Sequence, residues 1–264
     1  LVACAWGTRA FVRDYTHLRY SQSTQKQAVD RLRASALSGD GLVITSRDAF
    51  DSISPFVPDQ EVRLFTRDDG EFRPEAFEEQ WAGFLTRHPR IWLLLDYAGG
   101  QNADWNEYLT ESLRQSRHEM SDEWVGQEQR LFLYASAGPE SERLEELGAA
   151  FGGSVRLQSV SLDAEPLRGG DALRLTLRWQ TLKESGAERK VFVHLLSAEG
   201  QILAQRDLNL EPDEGDQRVG LLLPLDLAPG AYRLRIGVYD PATGERLTLP
   251  TGEDSLTIEE IRTR

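Results

Sequence analysis

The 264-residue sequence contains one cysteine, Cys4, and one methionine, Met120. A lone cysteine excludes an internal disulfide and any cysteine-cluster metal site. Lysine is scarce as well: Lys26, Lys183 and Lys190 stand against 27 arginines, a bias that reflects a GC-rich genome more than a function. Positive charge is in deficit. Thirty basic and 43 acidic residues give a formal net charge of −13 and a pI near 4.9. A surface of that sign disfavours nucleic-acid backbones and anionic lipid heads, so no nucleic-acid partner is expected. Long apolar runs are missing. The opening Leu1–Gly7 is apolar but far short of the about 20 residues a membrane helix needs, and it lacks the basic start of a signal peptide. No GxGxxG follows the first strand and no GxxxxGK[ST] occurs anywhere, so both strong nucleotide fingerprints are absent. No cofactor and no metal is expected. Glycine and proline, 22 and 11, are too few for a disordered or collagenous chain, and a 40% apolar fraction supplies real cores. The length suits one large domain or two ordinary ones.

The chain opens on Leu1 and its only methionine is at position 120, so it reads as a fragment or a processed product. Residues 1–22 read as a linker or as the stub of a membrane helix, with Trp6 and Tyr15 near the interface. A buried N-terminal segment is the plainer alternative.

From residue 23 to 152 the pattern alternates between helices and short buried strands. Thr24 and Gln27 have capping-box spacing, and Ala28, Val29, Leu32, Ala36 and Leu37 recur with helical period. Leu42–Thr45 and Val62–Phe65 read as strands. Pro74 opens a helix with Phe77, Trp81, Phe84 and Leu85 on its inner face, and Glu75, Glu78 and Glu79 at its positive end. Ile91–Leu95, the most apolar run in the chain, suits a strand covered on both faces. Asp104 opens a helix expected to carry Trp105, Leu109, Leu113, Met120 and Trp124. Leu131–Tyr134 is a fourth strand, and a short helix with Leu144 and Leu147 closes this half. Such alternation predicts a Rossmann-like α/β domain with three layers. Ligands of such sheets bind beyond the carboxyl ends of the strands. Those ends place Ser46, Arg47, Asp48, Asp96 and Tyr97 as candidate ligand-binding residues, together with the loop Ser136–Gly138. Asp96 is the best single polar candidate, although a carboxylate at a strand end also caps loops.

From residue 153 to 264 the period changes to two. Leu173 to Trp179 alternates strictly, and seven or eight short strands at even spacing, including Arg246–Leu249, predict an all-β sandwich of Ig-like or jelly-roll type. The two domains are expected to meet between Ala149 and Ser154. His194 shares a face with Phe192 and Leu196 and reads as an inward histidine with a backbone partner. Trp179 and Tyr239 are core residues or, less simply, a sugar-stacking platform.

The second half carries specific strings: Gly170-Asp171 followed by the alternating strand to Trp179, Val191-Phe192-Val193-His194-Leu195-Leu196 running to Gly200 and on to Gln205 and Asp207, and Pro229-Gly230-x-Tyr232 leading to Tyr239-Asp240-Pro241-x-Thr243-Gly244. These resemble the C-terminal sandwich of bacterial polytopic glycosyltransferases similar to the protein O-mannosyltransferases and the lipid A aminoarabinose transferase. The match covers roughly the last 95 residues; Asn209–Gln217 departs from it, being short, acidic and without an aromatic. The resemblance implies a tail on the extracytoplasmic face of a bacterial membrane, tethered by upstream spans of the same parent chain. Catalytic carboxylates in that family lie between the spans. This chain would then be a catalytically silent accessory region of a transferase using a lipid-linked sugar, with saccharide or acceptor as its partner. Two alternatives stand beside it: a stand-alone surface module that binds carbohydrate or protein, and a soluble enzyme using Asp96 and Ser46. No Ser/His/Asp or Cys/His constellation can be assembled by spacing for the last of these.

Overall fold

The computed structural model describes residues 24–66, 73–100, 102–136, 142–163, 167–184, 186–210 and 216–263. The expected stub at residues 1–22, most of the Ser136–Gly138 loop and the middle of the Asn209–Gln217 loop lie outside these residues.

From Thr24 the described residues follow the predicted alternation, with an additional short helix at 47–53 and a 3-10 turn at Pro74 ahead of the helix it was expected to open. Helix α1 (Thr24–Ser35) buries Ala28, Val29 and Leu32, and strand β1 (Gly41–Ile44) follows. Helix α2 (Arg47–Ile53) leads to β2 (Glu61–Leu64), and α3 (Glu78–Arg87) buries Trp81 and Phe84. Strand β3 (Arg90–Asp96) is buried from Ile91 to Leu95. Its odd positions Ile91, Leu93 and Leu95 share one core with Phe65, Trp81, Phe84, Trp105, Leu109 and Phe132. Trp92 and Leu94 point to the other face, as the strand period requires, and are buried there as well. Trp92 Nε1 donates to Asp40 Oδ2 at 2.9 Å, which satisfies a buried indole. β1 runs parallel to both β2 and β3.

Beyond helix α4 (Ala103–Ser116) the expectation fails. The helix stops at Ser116, and Met120 and Trp124 belong to strand β4 (Arg117–Val125). A three-residue turn, Gly126–Glu128, joins it to β5 (Gln129–Ser136), a connection too short for a parallel crossover. The five strands order as β2-β1-β3-β5-β4. The predicted short helix around Leu144 and Leu147 is also a strand, β6 (Glu142–Phe151), paired antiparallel with β7 (Val155–Asp163). Gly152 and Gly153, placed in the sequence at a domain junction, form the turn of that hairpin.

The remaining strands are β8 (Ala172–Thr181), β9 (Lys190–Leu196), β10 (Ile202–Asn209), β11 (Asp216–Leu222), β12 (Gly230–Tyr239) and β13 (Leu256–Thr263). They complete two four-stranded sheets, β10-β9-β12-β13 and β11-β8-β7-β6. Leu157, Val160, Leu173, Leu175, Leu177 and Trp179 pack with Val191, Val193, Leu195, Leu234, Ile236 and Val238 in one core. Arg246–Leu249 contributes a single bridge, from Arg246 to Tyr239, in place of the expected strand.

The Rossmann-like domain followed by a separate all-β domain is therefore not what this chain builds. Among the described residues strand accounts for 46% and helix, short 3-10 turns included, for 24%, with four α-helices and three sheets. The physical reason lies in two segments, 117–125 and 142–151, where pairing with a neighbouring strand outweighs a helical spacing of apolar residues. By contacts, the described residues divide into two units: 24–115 with Asp122–Tyr134, and Ser116–Ser121 with 135–263.

Candidate ligand-binding cleft

A cleft of about 1070 Å³ opens in the first unit. Its lining comes from the start of α1 (Thr24, Gln25, Gln27), the turn after β1 (Ser46, Arg47, Asp48), Thr66 after β2, Asp96 and Ala98 after β3, Asn102, and the β4–β5 turn from Gly126 to Gln129. Four of the five sequence candidates, Ser46, Arg47, Asp48 and Asp96, thus meet in one place. The fifth, Tyr97, lies between two lining residues.

Each wall has a local cause. Ser46 caps α2: it has extended backbone (φ −128°, ψ 130°) and its Oγ accepts from the Ala49 N–H at 3.4 Å. Arg47 and Asp48 are exposed on the first turn of that helix. Gly126 sits at φ +81°, and a Cβ there would lie 2.2 Å from Thr24 Oγ1. Only glycine allows the β4–β5 turn to lie so close to the start of α1.

Asp96 is the hub. Its Oδ1 accepts from the Ala98 N–H at 2.8 Å and its Oδ2 from Gln129 Nε2 at 3.0 Å. Its own N–H donates to Thr45 Oγ1 at 3.0 Å, and its carbonyl accepts from Asn106 Nδ2 at 2.9 Å. Gln129 is only 5% exposed, and its Oε1 has no hydrogen-bond partner among the described residues. With Nε2 committed to a carboxylate, the amide cannot turn over to satisfy that oxygen. A buried acceptor left in this state is costly, and a ligand hydroxyl would satisfy it.

Beside the cleft is an aromatic pair that the sequence reading missed in part. Tyr97 is 41% exposed and Trp124 55%, and their ring centroids are 5.6 Å apart at 45°. The Tyr97 N–H donates to the Glu128 carbonyl at 2.8 Å, which holds the pair against the β4–β5 turn. Arg130 stacks over Trp124 at 5.5 Å and over Phe132 at 5.0 Å, and it clasps both oxygens of Asp122 at 2.6 and 2.5 Å. The ion pair fixes the guanidinium beneath the indole.

Among the described residues the cleft lining holds no histidine or cysteine. Among the described residues no group of three or more His, Cys, Asp or Glu side chains could hold a metal ion. Among the described lining residues Asp48, Asp96 and Glu128 stand with one cation, Arg47, so this lining suits hydroxyl ligands better than anions. His88 serves structure: Nδ1 meets the Gly39 carbonyl at 2.8 Å and Nε2 meets Glu61 at 3.0 Å. Arg87 first, and then His88, hold the Glu61 carboxyl down at about 2. His194 departs from expectation. Val191, Val193 and Leu195 face the sandwich core, so His194 lies on the opposite face with Phe192, ring centroids 4.8 Å apart, and its Nδ1 has no partner among the described residues. Trp179 is a core residue against Phe151, and Tyr239 donates to Asp207 at 3.0 Å, so the two form no platform.

No protein-family model matches the chain, and no curated protein matches it. Nothing among family models or sequence relatives links it to glycosyltransferases. Among solved structures, the C-terminal domain of Wzt overlaps 46% of this chain and 78% of its own length, at 12% identity and a TM-score of 0.28. An endonuclease/exonuclease/phosphatase from Beutenbergia cavernae DSM 12333 overlaps 70% of this chain and 59% of its own, at 14% identity and a TM-score of 0.29. Overlaps this loose assign neither fold nor function. The functional reading therefore rests on the chain's own residues.

Proposed function

We propose that this chain is a non-catalytic saccharide-binding module. The observation that carries the reading is the exposed Tyr97–Trp124 pair, held by Arg130 and Asp122, beside a polar cleft whose buried Gln129 Oε1 lacks a donor. Sugars offer apolar C–H faces and a dense set of hydroxyls. Aromatic rings with few fixed polar groups around them complement both. The setting we propose follows the sequence resemblance: an accessory region on the extracytoplasmic face of a bacterial membrane, attached to upstream spans of the same parent chain, serving a transferase that uses a lipid-linked sugar. Among the described residues no helix is long and apolar enough to cross a membrane. The spans would have to come from upstream sequence.

A panel of oligosaccharides titrated against the chain, followed by saturation-transfer NMR and tryptophan fluorescence, tests the binding. At least one glycan should contact Tyr97 and Trp124, and Trp124→Ala or Tyr97→Ala should weaken it by about tenfold, the effect of one lost aromatic contact. A broad panel that leaves both rings unperturbed would sink the proposal. Coding sequence upstream of Leu1 without multiple apolar spans would remove the transferase setting while leaving the binding reading to stand or fall by the titration.

A further inference from the structure

The second unit contains a hollow of about 390 Å³ lined by His118, Leu144, Ser159, Ser161, Thr176, Arg178, Asp216 and Arg218. Strand alternation places it on the sheet face opposite the core, since Val160, Leu175, Leu177 and Val219 point inward. Register aligns its donors: Ser161 lies opposite Thr176, and Thr176 opposite Arg218. Three strands thus place two hydroxyl-bearing residues and an arginine in one row.

His118 completes the hollow. It is 4% exposed, and its Nδ1 has no partner among the described residues. The other ring nitrogen is used by a hydrogen bond to the Leu175 backbone. The segment bearing it is seated firmly. A Cβ at Gly220 would come within 2.0 Å of Met120 Sδ, and Glu119 pairs with Arg206 of β10. The charged groups facing His118 are mainly cations: Arg174 and Arg178 from β8 and Arg218 from β11. The carboxylate on the rim, Asp216, is held by Arg178 at 2.8 and 3.1 Å, and Glu146 of β6 adds its charge to that same arginine. Burial first, then Arg174 and Arg218, push the imidazole down to about 4, so it is neutral near pH 7 with a lone pair facing a positive field.

We propose that this hollow binds the phosphate group of a phosphate monoester. Such a group has a second pKa near about 6 and carries a proton part of the time. Its P–OH donates to His118 Nδ1, while its other oxygens accept from Ser161, Thr176 and Arg218. Sulfate has the same shape but no proton to give, so it leaves Nδ1 unsatisfied. In a chain of net charge −13, an anion would be drawn to a local cationic field of this kind.

The test is an NMR titration of the whole chain near pH 6.5, following the His118 ring signals, with methyl phosphate, inorganic phosphate and sulfate as separate probes. Methyl phosphate should give a saturable shift and raise the pH at which the ring titrates. Sulfate should bind about tenfold more weakly, the worth of one hydrogen bond to a charged group. Arg218→Gln, at an exposed position, should weaken methyl phosphate by a similar factor, while Arg33→Gln on α1 should change nothing. Thr176→Val serves if Arg218→Gln fails to fold. No saturable shift, equal affinity for sulfate, or full binding by both hollow variants would overturn the proposal. Binding of inorganic phosphate without methyl phosphate would overturn the monoester assignment.

Discussion

Gln129 and Asp96 meet through one 3.0 Å hydrogen bond that ties the first residue of β5 to the last residue of β3. The bond fixes the floor of the cleft. It also commits both carboxylate oxygens, since the other is spent on the Ala98 N–H.

Asp96→Ala should therefore cost stability before it costs anything else. It leaves the buried Gln129 amide without a partner at either end and uncaps the turn at Ala98. The expected loss is about 1–3 kcal/mol in urea unfolding. Asp96→Asn should lose less, because the Gln129 amide can rotate and offer its oxygen to the new amide. Equal losses for the two variants would show that the Gln129 contact contributes nothing.

Gly126→Ala meets two obstacles, a left-handed backbone and the Thr24 side chain. It should destabilise by at least about 1 kcal/mol. Adding Thr24→Ala should recover part of this, by removing the clash while leaving the backbone strain. Thermal unfolding of the two single variants and the double variant separates the terms. Full recovery would assign the whole effect to the clash.

Stability should fall as pH drops from about 6.5 to about 4. His118 titrates near 6.5 when unfolded and about 4 when folded, so in that window the unfolded chain binds the extra proton. Integrated over the window, the loss is about 3 kcal/mol. Burial shifts His194 in the same direction and adds to the slope. Glu61 acts lower: its contribution is present above 4.5 and is lost as pH falls towards about 2. Urea unfolding from pH 7 to pH 4 should show His118→Gln with a visibly shallower pH slope than the parent. Parallel slopes would contradict the burial of a neutral His118.

Trp92→Phe keeps a buried aromatic ring, though a smaller one, and removes the donor to Asp40, a carboxyl that burial already pushes up. Asp40 retains the Leu37 N–H at 3.0 Å and Arg90 at 3.2 Å. The cost should accordingly stay within about 1–3 kcal/mol, measured by chemical denaturation. A larger loss would mean that packing, rather than the bond, dominates at that position.

Where a local signal and the tertiary outcome agree, the sequence was readable. Ile91–Leu95 could hardly be anything but a strand covered on both faces, and the strict alternation from Leu173 to Trp179 gave β8 and its inward face. The failures have a shared cause. In Glu142–Phe151, Glu, Leu and Ala favour a helix locally, yet the segment pairs along β7. The available warning was Gly148, which takes φ +61° where the β6–β7 register shifts between Glu146 and Ala149. In 117–125, Met120 and Trp124 fall at helical distances from Leu113 by coincidence, and nothing local marks the helix end at Ser116. The cleft was legible on the sides formed by β1 and β3. Gln129, Gly126 and Trp124 were not legible, because they come from a hairpin whose first strand was read as helix.

The sheet β11-β8-β7-β6 also has a consequence for the order in which the molecule assembles. Its three consecutive strands β6, β7 and β8 are neighbours, and Phe151 meets Val155 across a turn whose two glycines, at φ +55° and +62°, are already suited to it. By contrast, β1 can complete its pairing only when Ile91 reaches Gly41, after two helices and β2 have been made between them. Closing the longer loop costs more entropy before any contact repays it. The meander should form first and the parallel strands last, and pulse-labelled hydrogen exchange during refolding would register this as early protection of β7 amides and late protection of those in β1.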